Sequence, residues 1–591
     1  MSKNKKTLKD NFLEALESYK KRDFKNAEMI CHKILSINPN HFNSNLLLAT
    51  ISAANRDFLK SKNFLNEAIK IEPKNLSAIT NLGTVYKELG KTDEAMKFYN
   101  KALEIEPNHT NANYNIGVTF LSLGKIIEAK KYLEKTVSIQ SNFAMAFHSL
   151  AEVHVALKEF RKAVSFFQKA VEINPNLVAT HNNLGLLYRD LDDFPNAIKC
   201  FEKAISISSK YANSLHNLAE IYREKGEFEK AIKFHKLAIV AEPNNLMNDF
   251  FLSDIDKKAL TKDLREKVNN ILSNKKTSVH NLAYGNYLLA KYERKSNNYE
   301  KEFDCLIKGH SNFYIRNKKK FDLNLKYCFE DIHQIIKEGK IEKSINKNKN
   351  KNKINPIFIF GVPRSGSTLV ERIIVSGKKK IALGEETGIV GRYFLNKVLQ
   401  RKNLNLGSVA DIRIELFNIY KMKGLISENY DLSFTDKSLD NYFYINFLKE
   451  IYPNAKFIHC KRDKLSSIVS IFQNNLTALA WCHDLENIFK YFDNYLKIID
   501  DMKKNNPNII YDLQFEDLIE NPEKESKKLM EFCDVPWDKK CLEFYKRKEL
   551  ISKTASNIQI RESIYKHSLE KYAPYKKVLE KYGAKYSWFK L

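Results

Sequence analysis

The sequence contains no apolar run long enough to cross a membrane. Its longest apolar stretch, from Ile357 to Val362, falls far short of the roughly 20 residues that a membrane-spanning helix needs. The basic N-terminal segment, MSKNKKTLKDNFLEALES, has no apolar core of the kind found in secretory signals. We therefore expect neither a membrane span nor export, and the cytoplasm is the predicted location.

Cysteine and acidic residues are both scarce. Eight cysteines occur in 591 residues without CxxC spacing or a dense cluster, which excludes a disulfide framework and a thiol-based zinc site. The 71 Asp and Glu are outnumbered by 98 Lys and Arg, giving a net charge of +27. The excess is mostly lysine dispersed among many asparagines, which favours solvated surfaces over a stripe for nucleic acid. We predict no nucleic-acid partner.

The chain is long and apolar enough for several folded domains. Its 591 residues predict two to four domains, and a hydrophobic content of 43% excludes general disorder. The first of these, residues 8–245, repeats with a period of 34 residues. One register position holds proline, replaced twice by serine, and two others hold small residues. The prolines are Pro39, Pro73, Pro107, Pro175 and Pro243; the small residues are Ala27, Ser61, Ala95, Ala129, Ala163, Ala197 and Ala231, and Ala15, Ala49, Gly83, Gly117, Ala151, Gly185 and Ala219.

Each 34-residue unit predicts two antiparallel helices. Apolar residues stand at helical spacing, the small residues permit close helix crossing, and the proline ends the second helix. The pattern resembles the tetratricopeptide repeat, which implies an α-solenoid of about seven repeats with a groove lined by the first helices.

An amide recurs two residues before the Gly or Ala position, at Asn81, Asn115, Asn183 and Asn217. Such a ladder can bind an extended peptide backbone, so a peptide or protein partner is one interpretation. The other is that these amides brace neighbouring repeats. Beyond the repeats, residues 246–344 predict a degenerate helical connector. Residues 345–355, INKNKNKNKIN, predict a linker, with a phosphate-binding strip as the alternative.

Residues 356–591 are predicted to form an α/β domain with a central parallel sheet. The apolar run 357–360 predicts a buried strand, followed by the loop GVPRSGST, residues 361–368, and a helix. This order points backbone N–H groups at an anion. The loop has P-loop spacing, but Ser367 stands where nucleotide triphosphatases need lysine, which disfavours ATP or GTP hydrolysis. A second strand, 456–460, leads into Arg462 and, eight residues on, Ser470, which are suited to a second phosphate of the same ligand.

Together these segments resemble PAPS-dependent sulfotransferases, most closely the tyrosylprotein branch. FIFGVPRSGSTLVERII resembles the family's 5′-phosphosulfate loop, and KFIHCKRDKLSSIVSIF its 3′-phosphate segment. The resemblance implies 3′-phosphoadenylyl sulfate (PAPS) as donor, PAP as product and no metal. It implies catalytic roles for Glu386 (the base, in GEET), Arg364, Lys437 and Ser556. It implies donor binding by Arg364, Ser365, Gly366, Ser367, Thr368, Arg462, Ser470, Ser556 and Lys571.

Two positions depart from the family pattern. Phe515 stands where the family usually has tyrosine, with Tyr511 as a candidate replacement for the hydroxyl. Asn474 stands where the tyrosylprotein enzymes place an arginine. The resemblance implies sulfuryl transfer to a hydroxyl, with a tyrosine of a peptide held by the repeats as the acceptor. The alternatives are a saccharide or small-molecule acceptor, and a repeat scaffold whose sulfotransferase-like domain is inactive.

Overall fold

The computed structural model of the chain describes residues 7–342, 354–400, 405–427, 432–547, 549–554, 556–564 and 571–590. The chain divides into two compact units, Met1–Ser214 and Leu215–Leu591. The predicted linker, residues 345–355, lies outside the described residues except for its last two positions. The predicted domain limits at 245, 344 and 355 stay predictions.

The predicted helix pairs of the repeats are confirmed. Every pair has a first helix of 13 or 14 residues and a second of 14, and successive pairs are offset by 34 positions. The helices are α1 Leu8–Lys20, α2 Phe24–Ile37, α3 Phe42–Ala54, α4 Phe58–Ile71, α5 Leu76–Glu88, α6 Thr92–Ile105, α7 Thr110–Ser122, α8 Ile126–Ile139, α9 Ala144–Ala156, α10 Phe160–Ile173, α11 Val178–Asp190, α12 Phe194–Ile207, α13 Ala212–Lys225 and α14 Phe228–Ala241.

Caps and small residues explain these pairs. The Asp57 side chain accepts the Lys60 N–H at 3.0 Å and starts α4, as Asn75 starts α5 by accepting from Ala78 at 3.1 Å. The small register positions are buried where two helices cross. At Gly83 a Cβ atom would lie 2.6 Å from the Tyr99 ring, so the first helix of that repeat can approach the second only without a side chain.

The remaining helices and strands all belong to the second unit. The connector helices are α15 Leu246–Ile255, α16 Lys262–Ser273, α17 Val279–Lys295, α18 Tyr299–Arg316, α19 Lys318–Lys326 and α20 Ile332–Glu338; the later ones are α21 Ser367–Val375, α22 Ile389–Gln400, α23 Val409–Met422, α24 Ile445–Ile451, α25 Lys464–Phe472, α26 Leu485–Asn505, α27 Phe515–Glu520, α28 Pro522–Phe532 and α29 Lys576–Gly583; the strands are β1 Lys340–Glu342, β2 Asn355–Phe360, β3 Asn405–Ser408, β4 Ser433–Asp436, β5 Lys456–Lys461 and β6 Ile510–Gln514.

A four-stranded parallel sheet lies at the centre of the C-terminal domain. Its strand order is β4-β2-β5-β6, and Phe360 pairs with His459 near the carboxyl ends of β2 and β5. A separate parallel pair joins β1 to β3. The central strands are almost wholly buried, as continuous apolar runs of parallel sheets require. The predicted fold class, a repeat solenoid followed by an α/β domain with a parallel sheet, is therefore confirmed.

The last repeat packs against the C-terminal domain within the second unit. The Glu224 carbonyl accepts from the Ser552 N–H and from the Arg561 guanidinium, each at 3.2 Å. Arg561 also donates to the Leu550 carbonyl at 2.9 Å and passes beside Gly226. Repeat seven thereby supports the segment 550–561, which carries part of the candidate site.

Candidate functional site

The loop between β2 and α21 is bent by two left-handed residues. Arg364 has φ 68° and Gly366, which caps α21, has φ 92°. At Gly366 a Cβ atom would lie 2.3 Å from the Phe515 ring, so the position accepts only glycine. A loop of this kind, between a strand and the start of a helix, is the arrangement in which backbone N–H groups bind anions.

Arg364 ties three segments of the chain together. Its guanidinium donates to Ser556 Oγ at 2.8 Å, to Gln559 Oε1 at 3.0 Å and to Ser470 Oγ at 3.3 Å. These three partners are neutral, so none of them cancels the positive charge of the guanidinium. The loop, α25 and the segment after 550 therefore meet at one cation.

Two further cations join Arg364. Arg462 follows β5, donates to the Arg364 carbonyl at 2.8 Å and lies over the Phe515 ring at 4.8 Å. Burial lowers the pKa of Arg462. Burial, together with the charges of Arg462 and Arg364, also lowers the pKa of Lys571 to about 8. Three cations held this close are stabilised by an anion placed among them.

A pocket of about 190 Å³ opens over this cluster. Seven of the predicted donor-binding residues line it, together with the predicted base Glu386. Those seven are Arg364, Gly366, Ser367, Thr368, Arg462, Ser556 and Lys571. The remaining lining is largely apolar: Leu439, Leu476, Leu479, Ile519, Phe544, Ile560 and Ile564 are among the residues that form it. The pocket lining thus combines cations, apolar side chains and a carboxylate.

Three predicted residues lie behind the pocket lining. Ser470 is 3% exposed and accepts from Arg364, and Ser365 is 1% exposed. Lys437 is fully buried after β4 and donates to Glu386 Oε1 at 2.7 Å. The structure thus places Ser470 and Lys437 in contact with pocket residues, while the Ser365 side chain is buried within the loop. Its predicted part in donor binding stays a prediction.

The two acids of GEET face different partners. Glu386 has a half-exposed side chain that lines the pocket and accepts from Lys437. Glu385 is turned inward, where Arg372 donates to it at 3.0 Å and the Lys553 N–H at 3.3 Å. Of the pair, Glu386 therefore has access to a bound ligand, and Glu385 fixes the segment.

Lys437 lies among three carboxylates. Burial acts to lower its pKa, but Glu386, Glu371 and Glu385 raise it overall, so the ammonium stays charged. Glu371, on α21, accepts from Thr435 Oγ1 at 2.7 Å and from the Glu385 N–H at 2.9 Å. Burial raises the pKa of Glu371 to about 7. The pair Lys437–Glu386 is thus backed by a buried acid that also anchors the GEET backbone.

Comparison with known proteins agrees with this architecture. Residues 356–539 match the profile of the Sulfotransferase family. Residues 356–539 form a sulfotransferase-family domain. Residues 77–109, 98–131, 145–177 and 176–239 match Tetratricopeptide repeat profiles. The chain therefore combines tetratricopeptide repeats with a sulfotransferase domain.

The relatives match parts of the chain. An uncharacterized protein of Aquifex aeolicus is 29% identical over 318 residues, which cover 50% of this chain and 40% of that protein. Protein-tyrosine sulfotransferase A of Caenorhabditis elegans is 28% identical, covering 37% and 60%. Human protein-tyrosine sulfotransferase 1 is 24% identical, covering 31% and 52%. The chain thus spans about half the length of these curated relatives. Among solved structures, MamA is 26% identical with a TM-score of 0.26, covering 27% of this chain and 95% of MamA.

The two departures of the sulfotransferase domain have distinct structural settings. Phe515 packs on Gly366 and under Arg462, so its ring supports both the loop and a cation. Tyr511, the candidate replacement for a hydroxyl, stacks on Phe532 instead, with ring centroids 5.0 Å apart. Asn474 donates to the Ser470 carbonyl at 2.6 Å and closes the end of α25.

Two residues of the site are not among the predicted ones. Gln559 lines the pocket and binds Arg364, and its place three residues after the predicted Ser556 is the signal in the sequence that could have found it. Glu371 sits in an apolar helical segment, and nothing in its sequence context indicates contact with GEET 14 residues later.

The asparagine ladder of the repeats shows bracing contacts. Asn115 donates to Thr84 Oγ1 at 3.3 Å, and Asn183 lies 3.5 Å from Glu152 Oε1. Thr84 and Glu152 occupy the same register position in the preceding repeat. Asn81 is exposed, and Asn217 is half-buried. These contacts support the bracing interpretation at two positions, while the predicted peptide role stays a prediction.

In the part of the chain that the structure describes, no helix is both long and apolar enough to cross a membrane. Among the same residues, no group of three or more His, Cys, Asp or Glu side chains is arranged to hold a metal ion.

Proposed function

We propose that the sulfotransferase domain transfers a sulfuryl group from PAPS to an acceptor hydroxyl. The observation that carries the proposal is the pocket itself, because one cavity unites the Arg364–Arg462–Lys571 cluster with the carboxylate of Glu386. An enzyme of this kind needs cations for the donor and a base for the acceptor within one site.

The residues present fit a polar, doubly anionic donor. Arg462 Nε and Ser365 Oγ are buried and have no hydrogen-bond partner among the described residues, a pattern typical of sites that a ligand completes. The loop N–H groups, Arg364 and Ser556 are suited to the 5′ end of the nucleotide. Arg462 and Lys571 are suited to its 3′-phosphate.

The transfer requires removal of a proton from the acceptor and stabilisation of negative charge on the leaving oxygen. Glu386 takes the proton of the acceptor hydroxyl as the acceptor oxygen bonds to sulfur, and the bond from sulfur to the bridging phosphate oxygen breaks to release PAP. Arg364 and Ser556 stabilise the charge that develops on that bridging oxygen. Lys437, by donating to Glu386 at 2.7 Å, fixes the direction of its carboxylate. The catalytic role predicted for Lys437 stays a prediction.

For the acceptor, we propose a tyrosine in a peptide or protein. The apolar part of the pocket lining suits an aromatic ring, and relatives at 24–28% identity are named protein-tyrosine sulfotransferases. Tetratricopeptide repeats generally bind peptides or proteins, so capture of the acceptor by the repeats belongs to this proposal.

The eight unpaired cysteines favour a reducing compartment such as the cytoplasm.

The test is transfer of labelled sulfate from PAPS to a tyrosine peptide, a saccharide and cell lysate by the full chain. Glu386→Gln should lower kcat by about 10²–10⁴-fold because the base is lost, while PAP binding by calorimetry stays unchanged. Glu562→Gln is the matched control, because Glu562 is another carboxylate in the pocket lining. Full activity of Glu386→Gln would show that Glu386 is not the base. Loss of activity in Glu562→Gln but not in Glu386→Gln would assign the base to Glu562. If the label enters only the saccharide, the acceptor is a saccharide hydroxyl and the proposed tyrosine acceptor is wrong.

A further inference from the structure

The residue that precedes the proposed base has a strained backbone. Glu385 has φ 54°, in the left-handed region that residues other than glycine rarely adopt. At this turn the two acids of GEET part: the Glu385 side chain binds Arg372, whereas Glu386 lines the pocket. A residue with a side chain keeps such a conformation only where its surroundings fix it, and such places cluster at active sites. The contacts that fix Glu385 therefore determine where the Glu386 side chain lies.

Both peptide groups of Glu385 are fixed by hydrogen bonds. Its carbonyl accepts from the Lys437 N–H at 2.9 Å, a contact between backbone atoms. Its own N–H donates to Oε1 of Glu371 at 2.9 Å. The second bond depends on a side chain, so a substitution at position 371 can remove it.

The Glu371 carboxylate binds two neighbouring parts of the GEET segment. Its side chain has no solvent exposure, and Oε1 also accepts from Thr435 Oγ1 at 2.7 Å. The same threonine hydroxyl accepts from the Gly384 N–H at 3.0 Å. One buried carboxylate thus binds the N–H of Glu385 directly and the N–H of Gly384 through Thr435. Leaving these buried donors without an acceptor would cost stability, so the arrangement is specific to an oxygen at this place.

The helix that carries Glu371 also carries part of the donor loop. α21 begins at Ser367, and Ser367 and Thr368 line the pocket. Glu371 follows Thr368 by three residues, which span about 4.5 Å along an α-helix. Less than one helical turn therefore connects residues proposed to bind the donor with the carboxylate that fixes the GEET backbone.

From these contacts we infer that Glu371 is a positioning residue for sulfuryl transfer, which fixes the left-handed turn at Glu385 and so sets the base, Glu386, at a defined place relative to the donor loop. The inference rests on the proposed function, because it assigns to Glu371 an effect that passes through Glu386. Glu371 is not among the residues that line the pocket. Its effect is therefore on the orientation of the base and not on a bound ligand.

The experiment compares two substitutions of Glu371 in the full chain. Glu371→Leu has a similar size but no oxygen, so kcat should fall about 10–100-fold because the base is misplaced. PAP binding by calorimetry should stay within about twofold, since the loop residues are unchanged. Glu371→Gln keeps an oxygen acceptor at the same place and should retain kcat within about fivefold of the parent. The rate is measured with labelled PAPS and the acceptor that the transfer assay labels.

A double substitution separates positioning from a general effect on the fold. In the Glu386→Gln background, Glu371→Leu should lower the remaining rate by less than about twofold, because the group that it positions is already lost. If the two losses multiply instead, Glu371 does not act through Glu386 and the inference is wrong. Unchanged kcat in Glu371→Leu, or loss of its PAP binding, would also overturn the inference.

Glu302→Leu is the matched control. Glu302, on α18, is another acid without solvent exposure, and it accepts from Tyr575 OH at 2.8 Å and from Gln473 Nε2 at 3.1 Å. Neither partner belongs to GEET or to the donor loop. Its loss should lower the Tm but leave kcat within about threefold of the parent. If Glu302→Leu lowers kcat as much as Glu371→Leu, loss of any buried acid explains the effect and the inference is wrong. Absence of both PAP binding and transfer in the parent chain would instead overturn the proposed function.

Discussion

The pKa of Lys571 gives the proposed donor site a measurable pH dependence. Burial and three arginines hold that pKa at about 8, against 10.5 for an ordinary lysine. An anion bound beside the ammonium favours the charged form, so binding should draw a proton onto Lys571 wherever the free protein has lost it. PAP affinity is therefore expected to fall as the pH rises through 8.

The magnitude follows from the fraction of charged lysine. With a pKa of about 8, roughly nine tenths of Lys571 is protonated at pH 7 and roughly one tenth at pH 9. The Kd for PAP should then rise about tenfold from pH 7 to pH 9. Proton uptake should be about 0.5 at pH 8 and about 0.9 at pH 9 per PAP bound. The phosphate groups of PAP do not interfere, because their second pKa lies near 6.

Calorimetry in two buffers of different ionisation enthalpy measures the proton uptake directly. Lys571→Arg keeps the charge throughout this range, so it should bind PAP with a flat pH profile and no proton uptake. The reasoning is refuted if the parent chain takes up no proton at pH 9, or if Lys571→Arg retains the parent slope.

Two further predictions concern the loop and the repeats. Gly366→Ala should lower the free energy of unfolding by about 1–2 kcal/mol through its left-handed backbone, and by more through the contact of the new Cβ with Phe515. Gly124→Ala, at φ 74° but in open space, is the control and should show a smaller loss in urea denaturation. Equal losses for the two variants would contradict the contribution of the contact. Changing Asn81, Asn115, Asn183 and Asn217 together to Ala should raise the KM of a peptide acceptor but not that of PAPS, whereas a lower Tm with unchanged KM would leave the ladder a bracing role only.

The sequence predicts local features of this molecule well. The 34-residue period located all seven helix pairs, because small residues and prolines are required by packing within one repeat. The same holds for the loop after β2, since Gly366 and Arg364 belong to a contiguous motif. These features depend on residues that are near one another along the chain.

Long-range contacts account for what could not be predicted. Glu371 and Glu302 are single acids in helical segments, and only folding brings them to GEET or to Tyr575. The motif resemblance implies a catalytic role for Lys437, but its burial and its bond to Glu386 depend on the packing of β4 behind the pocket, which the motif does not contain. Partners of a buried charge are set by tertiary structure, which a motif does not contain.

The contact of Glu224 with Ser552 and Arg561 limits how the repeat array can change. In the sequence, repeat seven is one of seven equivalent repeats, but its helices, from Leu215 onward, belong to the second compact unit. Loss of repeat seven removes the carbonyl that holds this segment, and with it the support of Ser556 and Gln559. A change in the number of repeats must therefore keep repeat seven if this segment is to keep its support.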